Sequence, residues 1–403
     1  MRKAFWTLGF VLVLVSCDET PAGPEPIAEL PRQLTAEEVA AVRAGNDFAF
    51  RLFRSLTRAA PDSNVLISPI SISFALGMAL NGADGSTLEQ MKVALGLSPL
   101  TVEEINRSYS GLMALLLGLD RSVDMRIANS MWFREGFPVG PEFVATNREV
   151  FDAEVATLDF ASPEAVKAIN DWVRENTNGR IEKIIESIPP DYVFYLINAI
   201  YFRGLWTYPF DPERTREAPF HRLDGTTEPV PLMGRDSLYV YLETHRYRAV
   251  EVPYGGEAFA MTVVLPAEGT TPAELMSDFD AADWEILVTG LTSERLVLSL
   301  PRFELEYERK LNEILAELGM PEAFTPAADF SRLSPVGVWI DEVRHKTFVR
   351  VDEEGTEAAA VTSVAGPTSA PPAFRADRPF VFVIRERFSG TILFIGQLVD
   401  PEG

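Results

Sequence analysis

From Thr35 onward apolar residues recur every three to four positions. Phe48, Leu52 and Leu56 form one stripe, and Thr35 with Glu38 has capping-box spacing, so a helix is predicted to open there. Ser68 followed by Pro69 reads as a serine cap with proline in the first helical position. Ile72, Leu76 and Leu80 carry that second helix to about Gly82. Residues 102–119 and 163–176 read as further helices, the latter opened by Ser162-Pro163. Elsewhere the period changes. Met125 to Phe133, Val193 to Phe202, Ala249 to Val252, Ala258 to Leu265 and Leu296 to Leu300 are short apolar or alternating runs, predicted as strands, as is 336–351. Phe380 to Ile384 and Ile392 to Ile395 are apolar on consecutive residues around a turn at Ser389-Gly390. They predict a hairpin of central strands covered on both faces. Helices gather early and strands late, with no internal repeat, which indicates one large α+β domain over residues 35–403.

Composition narrows the chemistry. Of 403 residues, 59 are acidic and 36 basic, a formal charge of −23, which disfavours nucleic acid as a partner because phosphate binding needs clustered Lys and Arg. The single cysteine, Cys17, excludes an internal disulfide and a cysteine-based zinc site. Three scattered histidines, His221, His245 and His345, argue against a histidine-rich metal site. Neither a Gly-x-Ser-x-Gly elbow, a His-Glu-x-x-His motif, a Walker loop nor calcium-loop spacing occurs, so no enzyme and no cofactor is expected.

Residues 1–16 join a basic start, an apolar run from Ala4 to Val15 and Ser16, the pattern of an export signal. Leu14-Val15-Ser16-Cys17 is similar to the bacterial lipoprotein box. It makes Cys17 an acylation site and the chain an exported protein, either membrane-anchored and facing the periplasm or cell exterior, or secreted. Residues 17–34, with Pro21, Pro24, Pro26 and Pro31, suit an extended tether.

One stretch breaks the pattern. Glu353 to Pro372 carries almost no large side chain and ends in prolines. Such a composition fits a flexible linker. Yet Thr356, Ala358, Ala360, Thr362 and Val364 alternate on one side, all small or β-branched, so that side fits within a packed sheet. The terminal hairpin tethers the segment at its far end. It is therefore read as an accessible loop with latent strand character.

Glu353-Glu354-Gly355-Thr356-Glu357-Ala358-Ala359-Ala360 resembles the reactive-loop hinge of the serpins, a family of serine protease inhibitors. Five further segments resemble the family in order between about residues 36 and 400. They are Asn64 to Ile72, Asn170 to Ile181, Asn198 to Trp206, His345-Lys346 and Ala376 to Phe380. The resemblance implies a single domain of three β-sheets and about nine helices with an exposed reactive-centre loop over about 353–373. It implies a monomeric suicide-type inhibitor: a protease serine is acylated at the bait bond, and the hinge inserts into the main sheet. The hinge would comprise Glu353, Gly355, Thr356, Glu357, Ala358, Ala359, Ala360 and Thr362. Ser68, Ser71, Asn198 and His345 match the family's shutter, where four polar groups in an apolar setting are expected to satisfy one another. Trp206, Arg302 and Glu353 match its breach. Counting from the hinge glycine puts the bait bond at Ser369-Ala370; counting from Arg378-Pro379-Phe380 favours Thr368-Ser369. Either way the residue before the cut is small, which implies elastase-like or subtilisin-like targets. A non-inhibitory relative, acting as a binding or chaperone-like protein, is the alternative.

Overall fold

The computed structural model describes residues 25–354 and 371–402. Six helices occupy the first half: α1 (Ala36–Ala59), α2 (Pro69–Leu80), α3 (Gly85–Leu95), α4 (Val102–Gly118), α5 (Pro141–Phe151) and α6 (Pro163–Asn176). Three shorter ones follow, α7 (Pro272–Met276), α8 (Ala281–Gly290) and α9 (Asn312–Glu317). The capping box that opens α1 is formed, with Thr35 N–H donating to Glu38 Oε2 at 2.9 Å and Glu38 N–H to Thr35 Oγ1 at 3.2 Å. Ser68 sits at the α2 N-cap, but its hydroxyl makes no capping bond. The hydroxyl cap read from the sequence is corrected there: Ser68 opens α2 through its backbone, whose carbonyl accepts Ile72 N–H at 3.1 Å.

Five strands form one sheet: β2 (Val123–Arg134), β3 (Glu154–Leu158), β4 (Phe194–Gly204), β10 (Phe303–Lys310) and β11 (Glu342–Val351). Its order is β10-β11-β4-β2-β3. Nine strands form the other: β1 (Val65–Ile67), β5 (Arg216–His221), β6 (Thr227–Glu243), β7 (Tyr247–Tyr254), β8 (Phe259–Pro266), β9 (Thr292–Pro301), β12 (Ala373–Arg375), β13 (Phe380–Glu386) and β14 (Ile392–Leu398). The 17-residue β6 pairs β5 and β9 along most of its length and β7 only through Val240–Glu243. Among the described residues that shared strand joins two strand groups into one hydrogen-bonded sheet beside the five-stranded one.

The terminal hairpin is central as predicted, with β13 between β8 and β14 and every residue of β13 and β14 buried. The strand expected over 336–351 begins only at Glu342. Upstream of it Val336 and Trp339 face solvent, and Ile340 N–H donates to Ala323 O instead of to a ladder. A large core spreads between the sheets and α1–α5, and a smaller one lies under α6, where Ile169 and Val173 cover Trp132, Ile197 and Ala199. Residues 25–34 form no helix or strand, and Ile27 and Leu34 pack against the main core.

Candidate functional site

The five-stranded sheet is split along its middle. β4 and β11 are parallel neighbours, but ladder pairing joins them only over Tyr195–Ala199 and Glu342–Lys346. Past Lys346↔Ala199 the two strands run on to Gly204 and Val351, each still paired on its outer side, with β2 and with β10. Among the described residues no pairing bridges their inner edges, and a cleft of ≈ 200 Å³ opens there. Tyr201, Phe202, Gly204, Phe348, Val349 and Val351 line it, with Trp206 and Glu354 at its mouth. Unpaired strand edges facing each other are a template for one more strand. A strand leaving Glu354 and folding back would run antiparallel to both edges, the orientation with the better ladder geometry.

Below the cleft the halves are locked. His345 and Asn198 are register partners, and Asn198 is in turn opposite Asn129 on β2. The buried His345 Nε2 accepts Ser68 N–H at 3.0 Å, Asn198 Nδ2 donates to Asn129 Oδ1 at 2.5 Å, and Asn129 Nδ2 donates to Phe151 O at 3.0 Å. Thr347 Oγ1 donates to Leu66 O at 2.9 Å, a further tie from β11 to β1. The expectation that Ser68, Ser71, Asn198 and His345 satisfy one another is corrected. The hydroxyls of Ser68 and Ser71 and the Asn198 carbonyl oxygen have no partner among the described residues. Ser68 contributes its backbone, and only the Asn198 amide nitrogen finds a partner, in Asn129, a polar residue within an apolar strand. That interruption was legible in the sequence and was missed.

Burial pushes the His345 imidazole down to about 3 from its ordinary 6.5, so the ring is neutral and its Nε2 is free to accept. The unfolded chain takes up a proton near pH 6.5 that the folded chain refuses until about pH 3. Stability therefore falls as pH drops below 6.5, by up to about 1.4 kcal/mol per unit from this group. His345→Gln, whose amide oxygen still accepts the Ser68 N–H, should lose less stability between about pH 7 and about pH 5 than the parent does. Urea midpoints at the two values check this; equal losses would remove His345 from the account.

The mouth of the cleft is clasped. Trp206 Nε1 donates to Asp352 O at 2.8 Å, Phe210 N–H to Glu353 O at 3.0 Å, and the Trp206 ring stacks on Tyr254 at 4.4 Å. The buried Glu353 carboxylate accepts Arg302 Nη2 and Thr215 Oγ1, both at 2.5 Å. Burial alone would raise the Glu353 carboxyl, but the bonds from Arg302 and Thr215 outweigh it and hold the group below its ordinary 4.5. Solvent screens this pair on the Arg302 side, which is 47% exposed. The structure thus brings Trp206, Arg302 and Glu353 together, and adds Thr215 and Phe210. Neither addition had a sequence signal, because one is an ordinary strand-flanking threonine and the other acts through its backbone. The hinge residues Gly355, Thr356, Glu357, Ala358, Ala359, Ala360 and Thr362, the bait residues Thr368, Ser369 and Ala370, and Cys17 lie outside the described residues.

Residues 43–401 match the family model described as serpin (serine protease inhibitor). A serpin-like protein of Thermococcus kodakarensis is 36% identical over 91% of this chain and 87% of its own length. The leukocyte elastase inhibitor of Sus scrofa is 36% identical over 89% of this chain and 98% of its own. Among solved structures, the thermophilic serpin tengpin in its native state superposes with a TM-score of 0.81, at 32% identity over 94% of this chain and 97% of that one. Human thyroxine-binding globulin, complexed with thyroxine, does so with a TM-score of 0.85, at 28% identity over 91% and 100%.

Proposed function

The chain belongs to the serpin family, and we propose that it is a suicide-type inhibitor of serine proteases. The observation that carries this reading is the cleft between the inner edges of β4 and β11, clasped at Glu353, immediately before the loop. The target's serine attacks the carbonyl of Ser369, or of Thr368, and the amine of the next residue leaves with a proton. The chain is then esterified to the protease. Freed at one end, the hinge enters the cleft and carries the acylated protease away before water reaches the ester. Insertion of the cleaved loop is the family's established mode rather than a deduction from this geometry. What this chain contributes is a stretch of β4 and β11 with no ladder pairing across the cleft among the described residues, and small residues in the loop to fill it.

A small residue before the cut suits proteases with shallow specificity pockets, elastase-like or subtilisin-like. The similarity to a leukocyte elastase inhibitor supports that class. The likeness to thyroxine-binding globulin keeps a non-inhibitory binding role as the second reading. Incubation with an elastase-like or a subtilisin-like protease should give an SDS-stable adduct in denaturing gels. Clean loop cleavage without an adduct, by every protease that cuts the loop, would sink the inhibitor reading in favour of the second.

We further infer that lipid on Cys17 anchors the exported chain to a membrane. Cys17→Ser, which removes the acyl acceptor, should move the chain from the membrane to the soluble fraction. Unchanged fractionation would overturn the anchor.

A further inference from the structure

Residues 25–33 read from composition as a spacer, but the structure ties them to the body at two points. Ile27 N–H donates to Gly256 O at 2.7 Å in the turn between β7 and β8. Arg32 grips the Glu38 carboxylate with two bonds of 2.6 Å and also reaches Gly111 O at 3.2 Å. The Glu38 carboxylate is buried, while the Arg32 side chain stays 42% exposed and is screened by solvent on that side. Gly256 is shaped to receive the segment, because a Cβ there would fall 2.8 Å from Glu25 O and 3.2 Å from Ile27 Cγ1.

The turn that receives the segment also supports the clasp. Gly255 N–H donates to Leu205 O at 2.6 Å, and Thr207 N–H to Pro253 O at 2.9 Å. Thr207 Oγ1 adds a bond to Gly255 O at 2.8 Å, and Tyr254 carries the Trp206 ring. From the other side the buried Asp120 carboxylate accepts Gly256 N–H at 2.8 Å. Residues 205–210 are thus fixed on one flank by this turn and on the other hold Asp352 and Glu353. An unbroken path of backbone bonds and one ring stack connects Ile27 to the hinge.

We propose that residues 25–33 form a strap that stiffens the β7–β8 turn and thereby slows opening of the hinge clasp. Losing the strap frees Gly256 O and Ile27, loosens the support under Leu205–Thr207, and lets Trp206 and Phe210 release Asp352 and Glu353 more often. Its consequence for inhibition rests on the function proposed above, whereas its effect on clasp opening does not.

The test uses the full chain with Ile27→Pro, which removes the donor, Gly256→Ala, which displaces the strap, and the double variant. Hydrogen exchange at the Phe210 amide reads clasp opening directly. Each single change should speed it about fivefold, the loss of one hydrogen bond of about 1 kcal/mol. Because both act through one contact, the double variant should exchange no faster than the faster single. Exchange at the parental rate in Ile27→Pro, or effects that multiply in the double variant, would overturn the strap. Faster exchange in a protein that forms no protease adduct would leave the strap standing and remove the inhibitor reading instead.

Discussion

A nick in the loop between residues 356 and 370 should raise the melting temperature by about 12 °C. Five residues on each inner edge, 200–204 and 347–351, lie beyond the β4–β11 pairing. One inserted strand would give them roughly ten ladder hydrogen bonds, each contributing about 1 kcal/mol net. An unfolding entropy of about 2.1 cal/mol/K per residue gives roughly 0.85 kcal/mol/K for 403 residues. The ratio is the expected shift, and side-chain burial in the cleft adds to it. Differential scanning calorimetry of intact and nicked protein measures it. A nicked form that melts with or before the intact one has not inserted its loop, and the spring-loaded mechanism fails with it. A nicked form that melts by that much later would place the intact fold above a more stable arrangement, held there by a barrier.

Thr356→Arg should convert the inhibitor into a substrate. On the alternation read from the loop, residue 356 is among the first to pass between the strands. Burying a guanidinium there without a partner costs several kcal/mol. About 3 kcal/mol on the insertion barrier slows that step by roughly a hundredfold, while deacylation of the trapped protease continues unchanged. The ratio of SDS-stable adduct to cleaved product should fall by that order in a gel assay. The cleaved variant should also lose about a third of the thermal gain described above, about 4 °C. Adduct yield equal to the parent's would mean that this side of the loop never enters the sheet.

The clasp and the split differ in how far the chain announces them. Trp206, Arg302 and Glu353 were read from resemblance alone and meet at the cleft mouth. Asn129 was visible as a polar break in an apolar run, and Thr215 was not visible at all. β6 escaped notice because Pro229, Pro231 and Gly234 interrupt it, and proline is tolerated in a strand only where no ladder donor is needed. The tether composition of residues 25–34 was real, but composition carries no information about a distant acceptor such as Gly256 O.

The order of letters determined by itself the periods of α1, α2, α4 and α6, the cap at Thr35 and the doubly covered terminal hairpin. Those features depend on side chains within a few positions of one another, where apolar spacing and capping groups act directly. Only the tertiary structure decided that β4 and β11 part after Ala199 and Lys346. Their apolar residues would look the same in a closed sheet. Whether two strand edges bond depends on backbone N–H and C=O groups, which every residue but proline shares, and on distant partners that bring the edges together or hold them apart.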